Sequence, residues 1–186
     1  MGRLAQTLGL RDHGQWRFPI LNHTNPRSEL ELTTESLVKI HKYRQIDGRL
    51  STSGQPSIKQ IAAIADAGFQ TIINLALHDD PRYSLPDEPG VVTGLGLKYV
   101  HIPVQFSAPK TTELQAFFDA MEADSSRMIW VHCAANIRVS AFLGLYRVIK
   151  QGWNQDEAFA LMHGLWEPDQ VWSTFINTTL ANAQAS

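Results

Sequence analysis

Cys133 closes an apolar run, Met128 to His132, and is followed by the tight polar segment Ala134-Ala135-Asn136-Ile137-Arg138-Val139-Ser140. The run reads as a buried strand and the residues from about Val139 to Lys150 as a helix. A cysteine at such a strand-to-helix bend meets successive inward-pointing backbone N–H groups and the positive end of the helix dipole. Together these make a nest for a tetrahedral oxyanion. The same environment stabilises a thiolate, which can attack phosphorus and form a covalent intermediate. Arg138, in the same bend, supplies a planar fork able to grip two phosphate oxygens. A lone cysteine is most often only a small buried hydrophobe, and here it is the setting that argues for chemistry.

The elements that must hold this bend follow from the pattern around it. Thr34 to His41 forms a short helix. Tyr43 to Ile46 and Leu50 to Gly54 read as strands about an Asp47-Gly48 turn. Ser57 and Gln60 make a capping box for a helix whose apolar face is Ile58, Ile61, Ala62 and Ala65, with Gly68 as its stop. Thr71 to Leu77 is a nearly continuous apolar run, as in a central strand. His78 to Pro89 is polar, carries three prolines and reads as a loop. A short helix is expected at Gly90 to Leu95, a strand at Lys98 to Val104, and a helix opened by Thr112 and Gln115 that buries Leu114, Phe117, Phe118 and Met121. Two further helices are expected from Asn154 to Leu165 and from Asp169 to Ala181. Strands alternating with helices predict an α/β fold, a single domain with a parallel-rich sheet flanked by helices. Ligands of such sheets bind beyond the carboxyl ends of the strands, where Cys133 lies. The domain is expected to span 33–186, behind an irregular extension over 1–32.

Here a family resemblance becomes specific. His132-Cys133 through Ser140 resembles the His-Cys-x5-Arg-Ser/Thr signature of tyrosine and dual-specificity phosphatases. Ser53-Gly54-Gln55-Pro56-Ser57, Ile73-Asn74-Leu75 and Tyr99-Val100-His101-Ile102-Pro103-Val104, taken with it, are similar to a bacterial branch of phosphatase-like proteins. The resemblance implies Cys133 as nucleophile, Arg138 as phosphate clamp and the segment Ala134 to Ser140 as the phosphate-binding loop. It also implies Ser140 as the hydroxyl that eases thiolate departure and His132 as a residue ordering the loop from behind. The implied partner is a phosphate monoester or a phosphoprotein, with no cofactor.

Two departures stand out. Only four residues separate Cys133 from Arg138, where the family has five. Aligned without a gap, Val139 takes the arginine position; with a one-residue deletion, Arg138 regains it and Ser140 falls one residue late. Asn136 replaces the usual glycine, a replacement eased by the tolerance of Asn for positive φ. The loop Gln105-Phe106-Ser107-Ala108-Pro109 also lacks the Asp that relatives use to protonate the leaving oxygen. Asp79 and Asp80, at the same edge of the sheet, are the substitutes on offer; the plainer reading is a solvated carboxylate pair. Three functions therefore compete: a slow phosphatase, a phosphate-binding pseudophosphatase, and, ranked last, a rhodanese-like sulfurtransferase, whose cysteine loop is shorter.

Composition trims the remaining classes. A net charge of -2 gives no global basic field for nucleic acid, and no run of 18 or more apolar residues marks a membrane span. The first residues lack a secretory pattern and one cysteine permits no internal disulfide, so a reducing cytoplasm is expected. The seven histidines show no ligand spacing, and no metal is expected. Core packing is the expected place for Trp130, Trp153, Trp166 and Trp172.

Overall fold

The computed structural model describes residues 34–123 and 126–185. The expected extension over 1–32 lies outside the described residues. Helical residues 34–38 (α1) lead to β1 (Arg44–Gln45) and β2 (Leu50–Ser53). There follow α2 (Ile58–Asp66), β3 (Thr71–Asn74), α3 (Glu88–Gly94), β4 (Lys98–His101), α4 (Thr111–Glu122), β5 (Ile129–His132), α5 (Ile137–Gln151), α6 (Gln155–His163) and α7 (Gln170–Gln184). The five strands form one sheet in the order β1-β2-β5-β3-β4, in which only β1 runs antiparallel to its neighbour.

Alternation along the central strands fills two cores. Ile73 and Val131 face a cluster with Phe117, Phe142, Phe159 and Trp172, so α4 to α7 cover that face. Ile72 and Trp130 face the other way, onto Leu37, Ile61, Ile64 and Val92 from α1 to α3. Both faces being covered, the central strands are apolar throughout rather than alternating, as read from the sequence. Helix ends also follow local chemistry. The Ser57–Gln60 capping box closes at 2.9 and 3.4 Å, and Gly68 takes φ +89 just past α2.

Some sequence expectations shift by a residue or a face. In α2 the buried side chains are Ile61, Ala63 and Ile64, while Ile58 is exposed. Ile58 is the first residue of the helix. Helix α3 starts two residues before the expected Gly90, because Asp87 caps it by accepting from the Gly90 amide at 3.0 Å and Pro89 suits its first turn. Trp153 is exposed, unlike Trp130 and Trp172, because it lies past the glycine that ends α5.

The α5–α6 contact depends on Gly144. A Cβ there would run into the Phe159 ring, which is itself buried. Gly144→Val is therefore expected to cost about 1–3 kcal/mol by overpacking, beyond the gain from removing a helical glycine. Urea denaturation followed by circular dichroism measures it; an unchanged midpoint would show that α6 yields freely.

Candidate active site

Register builds the site. At the carboxyl end of the sheet Ser53 pairs with His132, His132 with Asn74, and Asn74 with His101. The separate segments of the sequence resemblance thus end in one row. Strand β5 then delivers Cys133, and the chain turns through Ala134, Ala135 and Asn136 into α5.

The turn is pinned from outside. The Cys133 amide donates to the Ser53 carbonyl at 3.3 Å, and the Gln55 amide donates to the Ala134 carbonyl at 3.2 Å, which turns that carbonyl toward β2. Gly54 allows this approach, since a Cβ there would stand 2.8 Å from the Ala134 oxygen. Asn136 adopts φ 60, ψ 11, and its side-chain amide donates to the Lys42 carbonyl at 2.9 Å and Thr52 Oγ1 at 3.0 Å. Its side chain is an anchor to the β1–β2 side rather than a group facing a ligand. The amides of Ala135, Ile137 and Arg138 have no acceptor among the described residues.

A cavity of about 310 Å³ lies over the turn, lined among others by Leu77, Tyr83, Phe106 and the segment from Cys133 to Ala135. Cys133 is fully buried, with core residues behind it, yet it forms the back of this cavity. Arg138 also lines it. Its guanidinium carbon lies 5.7 Å from the Phe106 ring centre, and its Nε is buried with no partner among the described residues. Asp79 and Asp80 line the mouth.

The two carboxylates differ. Arg82 grips Asp80 through Nε and Nη2, at 3.0 and 2.7 Å, and this ion pair holds the Asp80 carboxyl below its ordinary pKa. Asp79 is exposed and makes no ion pair with any described residue.

Two residues of the expected phosphate loop fall elsewhere. Val139 is fully buried in the core, because this side of the first turn of α5 faces the sheet. Arg138 lines the cavity while Val139 is in the core, so of the two it is Arg138 whose side chain is available to a ligand there. Ser140, expected to assist the departing thiolate, is also fully buried. Its hydroxyl donates to the Ile137 carbonyl at 2.8 Å and accepts from Trp166 Nε1 at 3.1 Å, so its one proton is engaged away from the sulfur.

Behind Cys133 lies a feature that the sequence did not disclose. Glu88, read as part of a polar loop, is fully buried. It accepts from His132 Nε2 at 2.7 Å, from Gln55 Nε2 at 2.9 Å and from the Asn74 side-chain amide at 3.3 Å. Burial pushes its pKa up, but the bonds from His132 and Gln55 and the charges of His132 and His78 together outweigh that and leave it below the ordinary value. Asn74 also lies 3.1 Å from both Tyr99 Oη and His78 Nε2. The sequence signal was indirect: Gln55, Asn74 and His132 are polar residues in or beside apolar strands, and each needs a buried partner.

This geometry has close parallels. Residues 32–172 match the family model described as "DSP-PTPase phosphatase fused to NAD+ Kinase". The chain belongs to that family. Among solved structures, this phosphatase-family chain is similar to the "putative phosphatase (DUF442)" of Shewanella putrefaciens CN-32, with 31% identity and a TM-score of 0.71, covering 80% of this chain and 97% of that one. TpbA of P. aeruginosa, at 18% identity and a TM-score of 0.61 over 78% of this chain and 90% of its own, shares the fold. The "Beta-lactamase hydrolase-like protein" of Xylella fastidiosa strain Temecula1 is 31% identical over 128 residues, 66% of this chain. The chain spans only 28% of that relative's length. A phosphatase-like α/β fold of the tyrosine and dual-specificity superfamily is thereby established. Among the described residues no helix is long and apolar enough to cross a membrane.

Proposed function

We propose that the protein is a cysteine-dependent phosphatase of modest rate, acting on phosphate monoesters through a phosphocysteine. One observation supports this reading: Cys133 and Arg138, on opposite sides of the turn, line one cavity, and the buried Arg138 Nε and neighbouring backbone amides have no acceptor among the described residues. Donors of this kind are costly to bury unless an anion engages them.

In the proposed reaction the Cys133 thiolate attacks phosphorus, forming an S–P bond as the P–O ester bond breaks. Asp79 gives its proton to the departing oxygen. Water, deprotonated by the Asp79 carboxylate, then attacks phosphorus; the S–P bond breaks, inorganic phosphate leaves and the thiolate returns. The developing charge on the equatorial oxygens falls to Arg138 and to the amides of Ala135 and Ile137. Asp79 is preferred to Asp80 because Arg82 engages both Asp80 carboxylate oxygens, whereas Asp79 has no ion-pair partner among the described residues. Full burial of the sulfur and the short loop argue for slow turnover. The second reading, a module that binds a phosphorylated partner without turnover, is favoured by that same burial.

Hydrolysis of phenyl phosphate, whose leaving group needs a proton, tests the assignment. Asp79→Asn is expected to lower kcat by about 10²-fold, the lower end of what general acid catalysis contributes. Asp80→Asn is expected to change it by less than about threefold, an effect confined to loosening the Arg82 pair. Equal losses in both variants, or none in either, would remove Asp79 from the mechanism.

A further inference from the structure

Helices α2, α6 and α7 start in the same way. At Ser57, Asn154 and Asp169 the backbone is extended and the side-chain oxygen accepts from an amide of the first turn. Asn154 does so at φ -65 and ψ 154, its Oδ1 accepting from the Glu157 amide at 2.9 Å. Asn136 holds the corresponding place on α5 and behaves otherwise. Its carbonyl accepts from the Ser140 amide at 3.2 Å, as that of a capping residue does. Yet its backbone is left-handed, at φ 60 and ψ 11, and its side chain caps nothing.

What holds Asn136 in this form lies outside the turn. Its side-chain nitrogen donates to the Lys42 carbonyl at 2.9 Å and to Thr52 Oγ1 at 3.0 Å. Lys42 has φ 50, and among the described residues it and Asn136 are the only non-glycine residues with a left-handed backbone. Such a backbone is costly away from glycine and persists where its surroundings fix it. Here the two cases are joined by one hydrogen bond. Gly54 ties the same segments together, since its amide donates to the His41 carbonyl at 2.7 Å and it bridges to Ala135. Asn136 Oδ1 meanwhile is buried with no partner among the described residues. That oxygen is the acceptor with which an asparagine caps a helix.

We propose that Lys42 and Thr52 are positioning residues that keep the anion site open, by holding the Asn136 side chain away from the helix it otherwise caps. The inference rests on the phosphate-binding role proposed above for this turn and adds a second, closed state to it. In that state Asn136 takes the extended backbone seen at Asn154. The change in ψ turns over the Asn136–Ile137 peptide, and with it the Ile137 N–H assigned above to the phosphate. Asn136 Oδ1 then accepts from the Arg138 or Val139 amide. The helix is self-capped, and donors that served the ligand serve the chain instead.

Two neutral variants of Asn136 test this, because both lose the bonds to Lys42 and Thr52 but only one can cap. Serine caps well and disfavours a left-handed backbone; glycine caps less well and tolerates that backbone. In 15N-labelled full chains, phenylphosphonate, which cannot be hydrolysed as an ester, is expected to bind Asn136→Ser about tenfold more weakly than Asn136→Gly. Exchange of the Arg138 or Val139 amide with water, measured without ligand, is expected to be slower in the serine variant. Urea midpoints establish that both are folded. Thr52→Val, which removes one acceptor of the latch, should slow the same exchange and weaken phenylphosphonate by about fivefold, the equilibrium worth of one hydrogen bond. Thr52→Ser should restore both. Should Asn136→Ser fail to fold, the Thr52 pair decides alone. Equal affinities in the serine and glycine variants overturn the proposal, as does a weak serine variant whose Arg138 and Val139 amides exchange no more slowly, since the turn is then merely distorted. An unaltered Thr52→Val removes the latch. A wild type that binds no phenylphosphonate sinks the anion site itself, and the ligand-free exchange still decides whether Asn136 is held from its helix.

Discussion

Cys133→Ser is expected to reduce hydrolysis of an aryl phosphate by at least about 10³-fold, the scale on which loss of a nucleophile acts. The fold should persist, because the serine differs by one atom at a position whose side chain makes no hydrogen bond with any described residue. Binding of the oxyanion should persist too, since Arg138 and the turn amides are untouched. Steady-state kinetics and a phosphate titration on the same preparations separate the possibilities. Undiminished activity in the variant would place the chemistry elsewhere. A wild type that binds phosphate without turning over substrate would favour the phosphoprotein-binding module. A wild type that neither binds nor hydrolyses would end both readings. Because Cys133 is the only cysteine of the chain, loss of iodoacetamide labelling in the variant gives an independent check that the reacting thiol was this one.

Glu88→Ala is expected to destabilise the protein by about 3–5 kcal/mol at pH 7, the usual cost of removing one partner of a buried hydrogen-bonded pair. It leaves His132 Nε2, Gln55 Nε2 and one donor of Asn74 without their acceptor, in a site closed to water. The wild type should also show a distinct acid dependence. The carboxyl of Glu88 has a folded-state pKa below its ordinary value near 4.5. Its contribution is therefore complete above that value and is lost as pH falls through the lower folded value. Urea denaturation at pH 7 and at pH 4 measures both effects, and the alanine variant should lack this share of the acid loss. A variant as stable as the wild type would mean that water or a rotated side chain satisfies the three donors, and that the network behind Cys133 is dispensable.

Much of this was legible from residue types and spacing. The apolar runs at Thr71 to Leu77 and Met128 to His132 gave buried parallel strands, because a strand covered on both faces has no polar side to show. The Ser57–Gln60 box, the Gly68 stop and the apolar face Leu114, Phe117, Phe118 and Met121 are local or periodic signals, which survive in the sequence because they act within a few residues. The turn from Cys133 to α5 belongs to the same class, as does the tolerance of Asn136 for a left-handed backbone.

What the sequence by itself determined, then, is whatever depends on neighbours along the chain: the order of strands and helices, the caps, and a cysteine and an arginine held at one bend. Tertiary structure alone decided the rest. That Val139 faces the core and Ser140 turns to Trp166 depends on where α5 meets the sheet and the connection between α6 and α7, a rotation that four intervening residues leave open. That Asp80 is held by Arg82 while Asp79 is not depends on how a proline-rich loop closes over the cavity. Glu88 is buried only because β2, β3 and β5 end in one row beneath it, and no local pattern marks a carboxylate whose donors lie 14, 33 and 44 positions away. Desolvation and hydrogen bonding are summed over space, so a charge that looks solvated in the sequence is the one the fold encloses most completely.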